Sequence, residues 1–441
     1  MIKKLSIFTF LGLLFMNGNA QTVLSLSDCI KIGIENNLTL QSKKNEIEKN
    51  RLTISENRSK LIPQINAFAN FNDNFEPPVS VTDGSAYGNP YNVTKTLQYG
   101  ANAGFQLQMP LYNQTVYTSV SIARTMEEIS RLGYEKAKED LTMEISKMYY
   151  LGQASAEQIS LIKANIARLE ELKGITEAFY DNGMAMEVDV KRVSINLENM
   201  QVQYDNACAM LTQQLNLLKY VIDYPADAEI ALEPVDTESI LEVELTGLSD
   251  NLYEFRLLES QLEMAEQQKR MIRDGYLPSL ALTGNFSISA YTDKARYWFQ
   301  SHPSAKWYDS YGLGISLRIP IFDGLDKRYK KQKAKVDILN LQLAQENTRK
   351  NMETQYANAT NDLRNNQRNF KKQKDNYLLA EDVYTVTTDR YKEGIASMTE
   401  VLQDEMRMSE AQNNYISAHY NYRLTNLSLL KLTGKLDILS K

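Results

Sequence analysis

The stretch Gly104-Phe105-Gln106-Leu107-Gln108-Met109-Pro110-Leu111-Tyr112-Asn113 recurs as Gly314-Ile315-Ser316-Leu317-Arg318-Ile319-Pro320-Ile321-Phe322-Asp323. In both, apolar and polar side chains alternate up to a proline. An apolar residue, an aromatic residue and Asn or Asp follow. Period two with one apolar face marks a half-buried strand. The duplication extends both ways. Upstream, Pro63-Gln64-Ile65 with Asn70-Phe71 is echoed by Pro278-Ser279-Leu280 with Asn285-Phe286. Downstream, Tyr180-Asp181-Asn182-Gly183 before Asp189-Val190 is echoed by Tyr391-Lys392-Glu393-Gly394 before Glu400-Val401. Three motifs in one order, at offsets of 215, 210 and 211 residues, make an internal repeat.

Each copy reads as helix, strand, loop, strand, long helix, turn, helix. The strands fall at about 64–76, 98–110, 279–291 and 310–320, with Pro63, Pro110, Pro278 and Pro320 at their boundaries. A run of about ten residues is what a tilted strand needs to cross a hydrocarbon layer. The polar faces carry amides, hydroxyls, glycine and Arg318, which suits a water-filled lumen. Tyr99, Tyr112, Tyr291, Trp307, Tyr311 and Phe322 cluster near the strand ends, as in an interfacial aromatic belt. A soluble sandwich face explains the alternation but not these two features. Four strands cannot close a barrel, and open edges in lipid leave backbone groups unpaired. Subunits must therefore pool their strands. Residues 76–96, with Pro77, Pro78, Gly84, Gly88 and Pro90, and residues 292–309 read as outer loops.

After Pro110 and Pro320 the period changes. Residues from about 115 to 179 and from about 325 to 390 contain no proline and little glycine. Helices of that length would run roughly 95 Å, which implies a coiled coil or a tube. In the second, Tyr356, Leu363, Phe370, Tyr377, Tyr384 and Tyr391 fall at every seventh position. Met352, Ala359, Asn366, Gln373, Ala380 and Thr387 lie between them, completing a heptad seam. Glycine stops each helix at Gly183 and Gly394, and new helices begin near Glu187 and Thr399. The expected organisation is an export signal over 1–20, a first repeat over 21–220, a linker over 221–249 and a second repeat over 250–441. The expected fold class is a membrane β-barrel plus a long α-helical coiled-coil barrel, with four strands per subunit and closure by oligomerisation.

Composition narrows the function. The chain of 441 residues has a net charge of -6 and only two His and two Cys. That balance argues against a nucleic-acid binder, which needs a basic face. Lys3 and Lys4, the apolar run from Leu5 to Met16, and Gly18 and Ala20 form a signal cleaved before Gln21. Cys29 and Cys208 would either bridge in an oxidising compartment or sit as buried helix residues, and the helical context of both favours the second. No nucleophile motif, phosphate loop or metal-ligand spacing is present, and His302 and His419 have no sequence partners. An enzyme, a cofactor and a metal site are not expected.

The duplicated strand entries and exits, the Tyr-x-x-Gly turns before Asp189-Val190 and Glu400-Val401, and the opening Leu26-Ser27-Asp28-Cys29-Ile30 with Glu35-Asn36-Asn37 resemble the TolC-like outer-membrane efflux proteins. The resemblance implies a homotrimer in the outer membrane of a Gram-negative bacterium, in contact with outer-membrane lipid, with a helical tunnel crossing the periplasm. It implies a passive exit duct of a tripartite efflux or type I secretion system, serving a periplasmic adaptor and an inner-membrane pump or secretion ATPase. It also implies a gate at the periplasmic tip, ringed by acids. Glu400 falls on the first such position, while Gln403 replaces the second acid and Asp404 follows it. Asp189 is the first-repeat counterpart, and Tyr180, Gly183, Tyr391 and Gly394 mark the tip turns and adaptor contacts. Glu400 equally suits a plain first-turn acid favoured by the helix dipole. The rival reading is a structural or adhesive periplasmic coiled-coil protein, which explains the helices but not the strands. Six cations between Lys327 and Lys335 crowd a helix start; anionic head groups or a plain solvated face account for them equally.

Overall fold

The computed structural model describes residues 22–83, 86, 88, 90–235, 244–299 and 306–440. The export signal and His302 lie outside the described residues. In chain order the elements are β1 (Thr22–Leu24), α1 (Leu26–Asn36), α2 (Leu38–Ser59), β2 (Gln64–Asp73), β3 (Val79–Asp83), β4 (Tyr91–Lys95), β5 (Tyr99–Tyr112), α3 (Gln114–Asp181) and α4 (Glu187–Ile222). The second half continues with β6 (Ile230–Leu232), α5 (Tyr253–Asp274), β7 (Ser279–Thr292), β8 (Trp307–Arg318), α6 (Asp326–Lys392) and α7 (Met398–Leu432). Residues 43–133 and 254–347 form one compact unit; residues up to 42, 134–253 and those from 348 onward form the other. Both units draw on both sequence repeats.

The first unit holds an antiparallel sheet in the order β2-β5-β7-β8. Its central pair, β5 with β7, joins one repeat to the other, with Phe105 opposite Phe286 and Gly104 opposite Ser287. The approach there is so close that a Cβ on Gly104 would collide with the Phe286 carbonyl oxygen. Strand alternation is intact at the β8 edge, where Tyr311, Leu313, Ile315 and Leu317 are 60 to 81 % exposed. Such a row of large apolar side chains is unstable against water and suited to lipid. Among the described residues, β2 and β8 pair on one side only, leaving two open edges.

Two expectations need correcting. The outer segment 76–96 is not wholly loop: β3 and β4 form a hairpin within it, with Val81 opposite Val93 and Thr82 opposite Asn92. β-branched residues on both arms stabilise pairing despite the flanking prolines and glycines. Pro110 does not end its strand either, since β5 continues to Tyr112. Having no N–H to donate, Pro110 sits where the β5–β7 register shifts, between Pro110 and Tyr112. Pro63 and Pro278 lie just before β2 and β7, and Pro320 just after β8.

The other unit is mainly helical. α3 and α6 run 68 and 67 residues without a break, and their residues from 134 and from 348 onward belong to it. Every heptad position from Met352 to Tyr391 is buried or half-buried, as the spacing requires. Ile162, Ile166, Leu169 and Leu172 of α3 pack with Val193 and Met200 of α4, Tyr384 and Tyr391 of α6, and Val401 and Met408 of α7. A separate core gathers Cys29 and Ile30 of α1, Ile145 and Tyr149 of α3, and Leu218 and Ile222 of α4. β1 pairs in parallel with β6, and the Tyr149 hydroxyl donates to the Leu24 carbonyl at 3.0 Å, fixing this ribbon to α3. Both thiols are free; Cys29 is buried, which pushes it up to about 12, and Cys208 is half-buried.

Replacing Gly104 with alanine places the new methyl against backbone, which cannot move aside as a side chain would. We expect Gly104→Ala to cost several kcal/mol, at the upper end of single substitutions. Heat-dependent gel mobility of the outer-membrane protein checks this: the variant should lose its folded band at a lower temperature than wild type.

Candidate functional site

The helical tip is built from two turns of one geometry. Gly183 and Gly394 adopt φ of +73° and +75°. In the first turn, Gly183 N–H donates to Tyr180 O at 2.9 Å and Met184 N–H to Phe179 O at 2.8 Å. In the second, Gly394 N–H donates to Tyr391 O at 2.9 Å and Ile395 N–H to Arg390 O at 2.8 Å. This is the glycine-terminated helix stop, in which the left-handed residue satisfies the last carbonyls. The two tyrosines differ. Tyr180 is 45 % exposed, whereas Tyr391 is buried, lies tilted against the Phe179 ring at 5.7 Å and donates to Thr176 Oγ1 at 3.4 Å.

The acids singled out by the sequence all have partners within the chain. Glu400 completes a capping box: Ser397 N–H donates to its carboxylate at 2.8 Å, and Glu400 N–H donates to Ser397 Oγ at 3.3 Å. The Ser397 amide and hydroxyl hold the Glu400 carboxyl below its usual range. Asp404 accepts from Thr387 Oγ1 at 2.8 Å, tying α7 to α6, and pairs with Arg407 at 3.2 Å. Asp189 pairs with Arg192 at 3.1 Å, and Arg192 reaches Thr399 Oγ1 at 3.5 Å. Gln403 is exposed. Glu400 and Asp404 thus share one face of the α6–α7 hairpin, while Asp189 approaches it through Arg192 and Thr399.

A second polar system escaped the sequence reading. Along α7, Glu405, Gln412, His419, Asn426 and Thr433 are all buried and fall seven residues apart. Met398, Val401, Met408, Tyr415, Tyr422 and Leu429 complete the seam. The polar members face α3 and α6. Asn165 donates to Gln412 at 2.7 Å, Arg423 to Gln153 at 2.7 Å, and Asn366 to Thr425 at 2.8 Å. Arg423 also lies over the Tyr150 ring at 4.0 Å. Arg168 on α3 pairs with Glu381 on α6, and Lys392 with Glu171 at 3.0 Å. His419 stacks on Phe370 at 4.9 Å, with Glu157 4.0 Å from Nδ1. Within the described residues, Glu405 Oε1, His419 Nε2 and Asn426 Oδ1 have no hydrogen-bond partner. Burial raises the Glu405 carboxyl. Burial, then Arg423 and Lys374, lowers His419 to about 4. The seven-residue spacing of polar residues was the available signal, but apolar periodicity does not reveal it.

Among the described residues no group of three or more His, Cys, Asp or Glu side chains is placed to hold a metal ion. No described helix is long and apolar enough to cross a membrane, so a membrane location rests on the strands. The outer membrane efflux protein family model matches residues 30–222 and 250–435, the first segment holding β2 to β5 and the α3–α4 hairpin, the second β7, β8 and the α6–α7 hairpin. The chain belongs to the outer membrane efflux protein family. The chain is 21 % identical over 406 residues to the outer membrane protein TolC of Vibrio cholerae, covering 87 % of this chain and 84 % of that one. The crystal structure of VceC from Vibrio cholerae superposes with a TM-score of 0.73 at 14 % identity, covering 92 % of this chain and 96 % of that one. The open state of the MtrE channel from Neisseria gonorrhoeae superposes with a TM-score of 0.72 at 21 % identity, covering 93 % of this chain and 88 % of that one. Membership places this efflux protein in the outer membrane as an exit duct, with its long helices in the periplasm.

The buried seam has a consequence in pH. Between pH 6.5 and about 4 the unfolded chain binds a proton at His419 that the folded chain refuses. Stability therefore falls as pH drops through that window, by roughly 3 kcal/mol in the limit. Glu405 acts with the opposite sign: its folded carboxyl is raised, so stability falls as pH rises above its ordinary value. Thermal melts between pH 4 and 8 should show a flatter acid limb for His419→Gln and a higher midpoint at pH 8 for Glu405→Gln. An unchanged profile in both variants contradicts the assignment.

Proposed function

We propose that three copies of this chain form one passive channel-tunnel, each contributing β2, β5, β7 and β8 to a twelve-stranded barrel. The observation that carries this reading is the four-stranded sheet with two open edges. A membrane barrel needs at least about eight strands, and hydrocarbon offers no substitute for a missing partner. The helices of the three copies continue as a tube that closes at the Tyr-x-x-Gly turns. Glu400, Gln403, Asp404 and Asp189 surround the constriction, where a ring of carboxylates would attract cations. Their intrachain partners weaken that field, since Asp404 and Asp189 each carry an arginine.

A periplasmic adaptor docks at this tip and links the duct to an inner-membrane pump. The support is on α4, where Val188, Ile195 and Val202 are exposed at seven-residue intervals, with Met184 and Met186 exposed beside them. An unpartnered heptad stripe is a surface for a further helix. Only six of the 36 residues of α4 are buried, against 18 of the 35 in α7, so the unfilled face belongs to the first hairpin.

Planar-bilayer conductance tests the duct. Wild type should give small, mostly closed currents. Glu400→Ala combined with Asp404→Ala removes the carboxylate half of the capping box and the α7–α6 tie, and should enlarge them several-fold. Properly folded oligomer without any channel would falsify the reading and return the helices to a structural role.

A further inference from the structure

The charge of the chain is unevenly placed. Four segments adjoin the main sheet where strands meet helices: 51–63, 113–124, 266–278 and 319–335. Together they hold thirteen Lys or Arg and five Asp or Glu, in a chain whose net charge is -6. The densest part is the start of α6. There Lys327 is paired with Asp323 at 2.9 Å and Lys330 with Asp326 at 2.7 Å. Arg328, Lys331, Lys333 and Lys335 are exposed and, among the described residues, have no carboxylate within salt-bridge distance.

The cluster calls for an anion from outside the chain. Cations in the first turns of a helix oppose its dipole, so the cluster destabilises α6 unless something offsets it. A second copy that pools its strands would bring more cations than acids to this place. The segment before β2, which closes against β8 if copies pool their strands, carries Arg51, Arg58 and Lys60 against Glu56 alone. A solvated face does not account for the neighbours either. Ile321 is 95 % exposed, Phe322 79 % and Tyr329 62 %, and they fall with all six cations within the fifteen residues 321–335. Cations beside exposed aromatic and aliphatic side chains, at the end of a membrane strand, are the composition of an interfacial anchor.

We propose that this collar binds the anionic glycerophospholipids of the periplasmic leaflet of the outer membrane. Arg328, Lys331, Lys333 and Lys335 hold the phosphates, while Ile321, Phe322 and Tyr329 seat in the acyl-chain boundary. The collar fixes the depth of the barrel and orders the strand-to-helix transition. Each basic residue near an anionic surface adds to the attraction, which is screened within a Debye length.

The test uses the full-length protein in detergent, with phosphatidylglycerol and phosphatidylethanolamine added in equal amounts and bound lipid counted by native mass spectrometry. Wild type should retain phosphatidylglycerol with a preference of about fivefold or more, lost at high salt. Replacing Arg328, Lys331, Lys333 and Lys335 by glutamine should abolish the preference. Replacing Lys44, Lys163, Lys371 and Lys372 by glutamine, which removes the same charge elsewhere, should leave it intact. Arginine at the three collar lysines should also retain it, which separates lost charge from a folding defect. Equal retention of both lipids by wild type, or an unchanged preference in the collar variant, overturns the proposal. So does a collar variant whose subunits exchange faster while its lipid preference is unchanged, because the cluster then serves contact between copies.

Discussion

An unpaired strand edge in hydrocarbon is the constraint from which the rest of this structure follows. Each backbone N–H or C=O left open there costs several kcal/mol, with no water to relieve it. The sheet β2-β5-β7-β8 has two such edges. Within the protomer the same constraint acts on the central pair. β5 and β7 come from different repeats, yet they run through an almost unbroken register from Tyr99 opposite Thr292 to Tyr112 opposite Leu280. Gly104 lets the two backbones approach where a side chain would not fit. The duplication is therefore not two modules side by side. Neither strand pair is complete alone, and the join between repeats is the middle of the sheet.

The helices solve a different problem. A tube wall has water on at least one side, so each helix has a narrow stripe to bury rather than a core to fill. α6 follows this rule with a tyrosine-rich heptad. α7 departs from it by placing Glu405, Gln412, His419 and Asn426 at the buried positions. A polar seam gives less stability than an apolar one, since each group gains only about 1 kcal/mol net when paired and costs more when not. What it supplies is register. Asn165 with Gln412, Gln153 with Arg423 and Asp140 with Lys431 at 2.6 Å each match only at one axial setting of α7 against α3. Leucine at those positions would tolerate sliding by a turn. Long helices need such markers because their apolar contacts repeat.

How much was legible in the sequence follows the same physics. The strands and the α6 seam were readable because period two and period seven are written in apolar residues. The tip turns were readable because Gly183 and Gly394 are the left-handed stops that a helix end requires. The α7 seam was not, because hydrophobic periodicity cannot register polar residues at buried positions. Hairpin β3–β4 was missed because Pro77, Pro78 and Gly88 dominate local reading, while Val81 opposite Val93 is a pairing visible only once the chain turns back. At the α6–α7 turn, Glu400 and Asp404 were legible as acids near a helix start, but their state was not. Ser397 and Arg407, three residues away in each case, hold one in a cap and the other in an ion pair.

The two halves of the duplication have therefore diverged in what they leave unsatisfied. In the second hairpin, α7 is buried along half its length, Tyr391 is enclosed, and Asp404 ties it to α6 through Thr387. In the first, α4 keeps an exposed apolar stripe and Tyr180 remains in solvent, although the backbone turn at Gly183 matches that at Gly394. Identical backbone stops with unequal side-chain burial mean that the ends of the two hairpins differ in how firmly the protomer itself holds them. The hairpin held by polar links within the chain is restrained by interactions that water replaces readily one by one. The hairpin with the apolar stripe is held by Val193 and Met200 in the shared core but keeps the stripe itself in water, and no polar exchange with water offsets that exposure. The hairpin that the chain leaves least complete is thus the one that carries α4.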